Sequence, residues 1–180
     1  MRFFFYSHDG VGLGHVRRQI AIAAALQEVG PGAQVLLATS VDEVASLGLP
    51  PNVDTLKLPG IRKIANGEYS SRRLTIPKEE LHRLRSGLLR VAIEGFRPDV
   101  VLVDKHPFGA RGEMTVALDA AKSNGARLVL GLRDVLDDRP APPRSGRASK
   151  SRNGSASTSI WFWSMASAAF LIRSRRTCYL

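Results

Sequence analysis

The chain has 180 residues, enough for one core of ordinary domain size with a remainder. Its formal charge of +10 would suit a nucleic-acid or membrane-surface binder if it were spread evenly, and it is not. Up to Asp138 there are 18 Lys and Arg against 16 acids, whereas Arg139 to Leu180 holds eight bases and no acid, so the excess charge belongs to the tail.

The single cysteine, Cys178, excludes an intrachain disulfide and favours a reducing compartment. Phe3-Phe4-Phe5-Tyr6 is too short for the apolar heart of a signal peptide, and the expected location is cytoplasmic. The longest apolar run, Ile160 to Ile172, spans 13 residues and is interrupted by serines. A membrane-spanning helix needs roughly 18–20, so none is expected, and only peripheral membrane association stays open.

In chain order, Arg2–Tyr6 is an apolar, aromatic run that ends at a glycine-rich loop, the pattern of a buried parallel strand. Val16–Val29 follows as a helix, with Ile22, Ala25, Leu26 and Val29 on one face and Gly30-Pro31 as its stop. Gln34–Ala38 is a strand, Asp42–Leu47 a short helix, and Asp54–Leu58 a strand closed by Pro59-Gly60. Ile61–Thr75 lacks clear periodicity and reads as a loop reaching over a site.

Pro77 and Glu79-Glu80 open a second long helix, whose predicted apolar stripe is Leu81, Leu84, Leu88 and Val91 and whose predicted stop is Gly95. Val100–Val103 is an unbroken apolar strand, Glu113–Lys122 a helix stopped by Asn124-Gly125, and Arg127–Leu132 a strand running into Arg133-Asp134. There is no internal repeat. This alternation predicts an α/β fold with a doubly wound, mostly parallel, Rossmann-like sheet over residues 1–138. In such sheets ligands bind at the carboxyl ends of the strands, which gathers Ser7–His15, Thr39-Ser40, Asp104–His106 and Arg133-Asp134 at one edge.

Glycines between a strand and a helix let backbone N–H groups approach an anionic or hydroxyl-rich ligand. The spacing Gly10-x-Gly12-x-Gly14 differs from the G-x-G-x-x-G of dinucleotide folds, and the second strand ends in Ala38-Thr39-Ser40 rather than the acid that would hold a ribose. There is no P-loop lysine either. His15, where the loop enters the helix, has two readings: a base or ligand for an acceptor hydroxyl, or a helix-cap histidine.

The run Ser7-His8-Asp9-Gly10-Val11-Gly12-Leu13-Gly14-His15-Val16-Arg17-Arg18 resembles the opening of a group of predicted bacterial glycosyltransferases. That group is similar to the family 28 glycosyltransferases, which include the lipid II-forming N-acetylglucosaminyltransferase. Leu58-Pro59, Glu68-Tyr69, Arg97-Pro98-Asp99, Val103-Asp104-Lys105, Pro107-Phe108-Gly109, Glu113 and Gly131-Leu132-Arg133-Asp134 recur in family-like order.

The resemblance covers residues 1 to about 138 and implies the N-terminal, acceptor-side half of a GT-B fold. It implies an inverting transfer of a hexosyl group from a nucleotide-sugar to an acceptor with a free hydroxyl, the nucleotide-sugar being held by a C-terminal domain. His15 is the implied acceptor contact or general base, and His8, Asp9, Gly12, Gly14, Asp104 and Lys105 are the implied substrate-binding residues. For Asp104 a strand-end residue capping the next turn is an equal alternative. Glu113 is expected to be a first-turn acid answering a helix dipole. No metal and no cofactor is expected.

Family members continue into a donor domain after the residues matching Arg133-Asp134, and residues 139–180 instead read as a basic, Pro-, Ser- and Arg-rich low-complexity tail. A nucleic-acid-binding arm, a disordered extension and out-of-frame translation compete as explanations. The single-codon residues Trp161, Trp163 and Met165 restrict the neighbouring frame, which reads Leu-Val-Leu-Val-x-Gly when serine takes its commoner codons, a buried strand ending in a turn. A frameshift at about residues 137–140 is therefore the expectation, the product being a truncated glycosyltransferase inactive by itself.

Two other functions compete. A basic nucleic-acid-binding protein would use the tail charge with Trp161 and Trp163 as stacking residues, although no DNA partner is expected. A dinucleotide-binding oxidoreductase domain is disfavoured by the glycine spacing.

Overall fold

The computed structural model describes residues 1–7, 13–65, 68–132 and 161–163. The main sheet contains β1 (Arg2–Tyr6), β2 (Gln34–Thr39), β3 (Val53–Lys57), β6 (Val100–Asp104), β7 (Arg127–Gly131) and β8 (Trp161–Trp163). Its order is β3-β2-β1-β6-β7-β8 and every pairing is parallel. Three α-helices accompany it among the described residues: α1 (Gly14–Val29), α2 (Lys78–Phe96) and α3 (Thr115–Ser123). The doubly wound α/β class expected from the sequence is present.

Alternation along each strand feeds two cores. Phe4 and Tyr6 of β1, Ala38 of β2, and Val101 and Val103 of β6 pack with Leu89 and Ile93 of α2 and with Ala117, Leu118 and Ala121 of α3. Phe5, Val35, Leu37 and Leu102 face the other way and pack with Val16 and Ala23 of α1. Both faces of β1 and β6 are thus covered, which is why these strands are apolar without interruption. Each large side chain so buried contributes roughly 1.5–3 kcal/mol.

Three expectations differ from the fold. Ile61–Thr75 is not a structureless loop: β4 (Ile61–Ala65) and β5 (Glu68–Ser71) pair as an antiparallel hairpin outside the main sheet. The signal was present in the sequence as Asn66-Gly67 between two short runs, a strong hairpin dipeptide, and the surrounding charges obscured it. Ile61 anchors the hairpin in a small cluster with Leu81 and Ala110.

The buried face of α2 is Leu81, Arg85, Leu89 and Ile93, at i, i+4, i+8 and i+12, while Leu84 and Val91 are exposed. The predicted stripe lay round the helix from the true one because Arg85, counted as polar, is buried against an acid. Nor does Gly95 stop α2: the helix runs to Phe96 and closes with Arg97 in the left-handed region at φ 49°.

The chain winds from β1 through β2 to β3 on one side and then crosses to β6 on the other side of β1. The gap between the carboxyl ends of β1 and β6 is therefore the topological switch point, where open parallel sheets place their ligands.

Candidate functional site

Three side chains meet at the switch point. His15 and Arg18 stand three residues apart in the first turn of α1, hence on one face of the helix. Asp104 is the last residue of β6 and fully buried. His15 Nδ1 donates to Asp104 Oδ2, and Arg18 Nη1 donates to Oδ1 at 2.8 Å, so one helical turn supplies a donor to each carboxylate oxygen.

A carboxylate with no solvent exposure needs such partners, since an uncompensated charge in a dry interior is costly. Arg18 neutralises the charge and His15 completes the hydrogen bonding. A neutral ring whose proton sits on Nδ1 toward Asp104 carries its lone pair on Nε2, the arrangement that prepares a histidine to take a proton. Asp104 is thus neither a simple turn cap nor a solvent-facing ligand. It is hydrogen-bonded to His15, whose side chain keeps 14% of its surface exposed.

The next residue, Lys105, is exposed and adopts φ 65°, while its N–H donates to Gly131 O of β7 at 2.9 Å. A non-glycine residue in the left-handed region is held there by its surroundings at a cost of about 1–2 kcal/mol. Ser7, buried at the carboxyl end of β1, donates its N–H to Ala38 O, and its hydroxyl has no hydrogen-bond partner among the described residues. Thr39 and Ser40 at the end of β2 are buried, and Thr39 Oγ1 accepts from Val41 N.

Gly14 opens α1, exposed, and among the described residues nothing beyond its chain neighbours and its own helix backbone lies within 4 Å of where its Cβ would be. His8, Asp9 and Gly12, as well as Arg133 and Asp134, lie outside the described residues. So do the side chains of Trp161 and Trp163. Of the residues singled out in the sequence, the structure brings His15 and Asp104 together, with Lys105 beside Asp104 in the chain. Arg18 was not singled out for a role; its signal was the spacing from His15.

A second polar cluster lies behind the edge. Glu113 is not the first-turn helix-dipole acid expected: it precedes the start of α3, is buried, and pairs with Arg85, whose Nε donates to Oε2 at 2.7 Å and whose Nη2 reaches Oε1. Arg85 Nη1 also donates to Pro59 O. Tyr6 donates its hydroxyl to Glu113 Oε1 at 2.7 Å and accepts from Ala110 N at 3.0 Å.

Burial pushes the Tyr6 phenol well above its ordinary value, and the Glu113 charge adds to the shift. Burial works against the Arg85 charge, but the hydrogen bond and charge of Glu113 outweigh it and raise its pKa. The network ties the end of β1 and the link after β3 to α2 and to the 105–110 segment. Gly109 completes that segment at φ 70°, where an added Cβ would lie 2.9 Å from Met114 Cγ and 3.0 Å from the Tyr6 ring.

Among the described residues, no group of three or more His, Cys, Asp or Glu side chains could hold a metal ion, and no helix is long and apolar enough to cross a membrane. No family model and no curated protein matches the chain. Among solved structures it is similar to the crystal structure of a UGT transferase from Siraitia grosvenorii in complex with UDP, with 14% identity and a TM-score of 0.48. The likeness covers 73% of this chain and 28% of that one, so the chain spans less than a third of that protein's length.

Proposed function

We propose that residues 1–138 form the acceptor-side domain of a glycosyltransferase in which His15 is the general base and Asp104 its positioning residue. The observation that carries this reading is the His15–Asp104–Arg18 cluster at the β1/β6 switch point. It is supported by the resemblance of Ser7–Arg18 and the later motifs to predicted glycosyltransferases. In this reading the acceptor hydroxyl gives its proton to His15 Nε2 as its oxygen attacks the anomeric carbon of a nucleotide-activated hexose. The bond to the nucleoside diphosphate breaks, and the diphosphate leaves with the bonding electron pair. Asp104 stabilises the imidazolium that forms.

The donor sits, in the same reading, on a second α/β domain facing this edge, encoded beyond a frameshift at about residues 137–140. Sequencing the locus tests the genetic part; the expected result is a neighbouring frame that continues the fold. Residues 1–180 alone should not bind a nucleotide-sugar at micromolar affinity, and such binding would place the donor site here instead.

The dyad is tested by nitrogen-15 NMR of the His15 ring. The wild type should show the Nδ1–H tautomer. Asp104→Asn, whose amide can present N–H to the ring, should shift the population toward Nε2–H. An unchanged tautomer in that variant would remove Asp104 from the mechanism.

A further inference from the structure

We infer that the open groove beside the β4–β5 hairpin, walled by Arg62, Arg72, Arg73, Ser70 and Ser71, is a binding site for a phosphate-class anion. Its volume is about 570 Å3, and it runs on to Pro77, the N-cap of α2. That volume is within the usual range of ligand clefts, roughly 300–1,000 Å3. The site stands apart from His15 and Asp104, so it holds or fails independently of the glycosyl-transfer reading.

Three cations gather around one carboxylate, and a fourth, Arg62, lines the groove. Asp42 is held by Lys57 Nζ at 3.0 Å and Arg73 Nη2 at 2.9 Å, with Arg72 Nη1 more distant at 3.9 Å. Lys57 is committed elsewhere as well, donating to Ser40 O and Leu58 O, both at 3.0 Å. Among the described side chains Arg62 has no carboxylate partner; its Nε donates to Ser70 Oγ at 3.0 Å, which holds the guanidinium beside the groove.

The hydrogen bond from Lys57 and the charges of Arg73 and Arg72 hold the Asp42 carboxyl below the ordinary carboxylate range. Asp42 is therefore charged at any pH where phosphate is a dianion, and the lining of the groove itself holds three arginines and no carboxylate. Glu68 at the start of β5 and Glu79 and Glu80 in the first turn of α2 are the nearest acids along the chain to the groove residues. Arginine forks match the paired oxygens of phosphate, and each such contact is stronger than a neutral hydrogen bond.

The groove lies toward the β2/β3 side of the same sheet edge. A soluble phosphate compound and a lipid headgroup share the required chemistry.

The test titrates residues 1–180 with pyrophosphate by calorimetry at low salt and, separately, sediments the chain with phosphatidic acid or phosphatidylcholine vesicles. The groove variant is Arg62→Gln/Arg73→Gln; Arg73 is 75% exposed, which makes misfolding an unlikely confounder to be checked by circular dichroism. The control is Arg173→Gln/Arg175→Gln in the basic tail. The groove variant should weaken anion binding about tenfold or more, and the control should leave it within about twofold. Loss in the pyrophosphate arm assigns a soluble ligand, and loss confined to phosphatidic acid vesicles assigns a headgroup. No wild-type binding in either arm, or an equal loss in the tail control, overturns the site.

Discussion

Replacing Glu113 by Gln tests whether the buried Arg85–Glu113–Tyr6 network holds the 105–110 segment in place. The side chain keeps its size, but the charge that offsets Arg85 is lost, and an amide N–H group is set against guanidinium donors. Both residues are only 2% exposed, so water cannot take over. Breaking one partner of such a pair costs about 3–5 kcal/mol, chiefly as an uncompensated buried charge. With a urea dependence of about 2 kcal/mol per molar, the unfolding midpoint of residues 1–180 should fall by roughly 1.5–2.5 M. Arg85→Leu should cost a similar amount. The double variant Arg85→Leu/Glu113→Leu should lose much less than the two singles together, because an apolar pair of similar volume leaves no charge stranded. If Glu113→Gln cost under about 1 kcal/mol, or if the double variant lost the full sum, the network would not be the tie described.

Two more perturbations bear on the same edge. Gly109→Ala should destabilise by about 2–4 kcal/mol in the same urea assay, because φ 70° with ψ −163° is a glycine conformation and the new Cβ would meet Met114 and Tyr6. Gly14→Ala, with open space around it, should leave stability unchanged or slightly raised; a large loss there would contradict the environment described. The pH dependence follows from Tyr6. Its folded pKa is raised above the ordinary 10.0, so the stabilisation is complete below that value and is lost as pH climbs above it. Denaturation midpoints measured between pH 7 and 11.5 should therefore fall above about pH 10 in the wild type. Tyr6→Phe should be less stable at neutral pH and should lose the part of that slope due to the phenol; identical slopes would exclude Tyr6 as its source.

Among the strands of the main sheet, β1 and β6 were legible because burial on both faces leaves a run of apolar residues, whereas β8 falls in the stretch read as a low-complexity tail and was not foreseen. Pairings that depend on distant partners were not legible. Arg85 occupies a core position on α2 only because Glu113, 28 residues on, neutralises it, and an apolar stripe drawn from local periodicity passes it by. The same holds for Asp104, whose position at a strand end fits a turn cap as well as a site residue until α1 brings two donors to it. His15 stood out through its place after the glycines, whereas Arg18 lay one turn further along and gained meaning only when both reached one carboxylate. The hairpin was missed for the opposite reason, since a local turn signal was present but lay within a charged stretch.

Asp104 has two jobs that must be separated. Its bonds to His15 and Arg18 tie the first turn of α1 to the end of β6, and in the proposed mechanism they also set the tautomer of His15. Removing the carboxylate therefore disturbs packing and chemistry together: Asp104→Asn should cost about 2–3 kcal/mol through weakened charge-assisted bonds, whatever its effect on function. His15→Asn divides the two. The amide can place an N–H where Nδ1 stood, keeping Asp104 supplied, so stability should stay within about 1 kcal/mol of wild type, but no proton acceptor remains in place of Nε2. In a chain joined to its donor domain, that substitution should lower sugar transfer by about 10²–10⁴-fold at nearly unchanged acceptor affinity, the range expected for loss of a general base. Transfer that survives within tenfold in a folded His15→Asn protein would return His15 to the role of a helix-start residue and leave Asp104 and Arg18 as a structural ion pair.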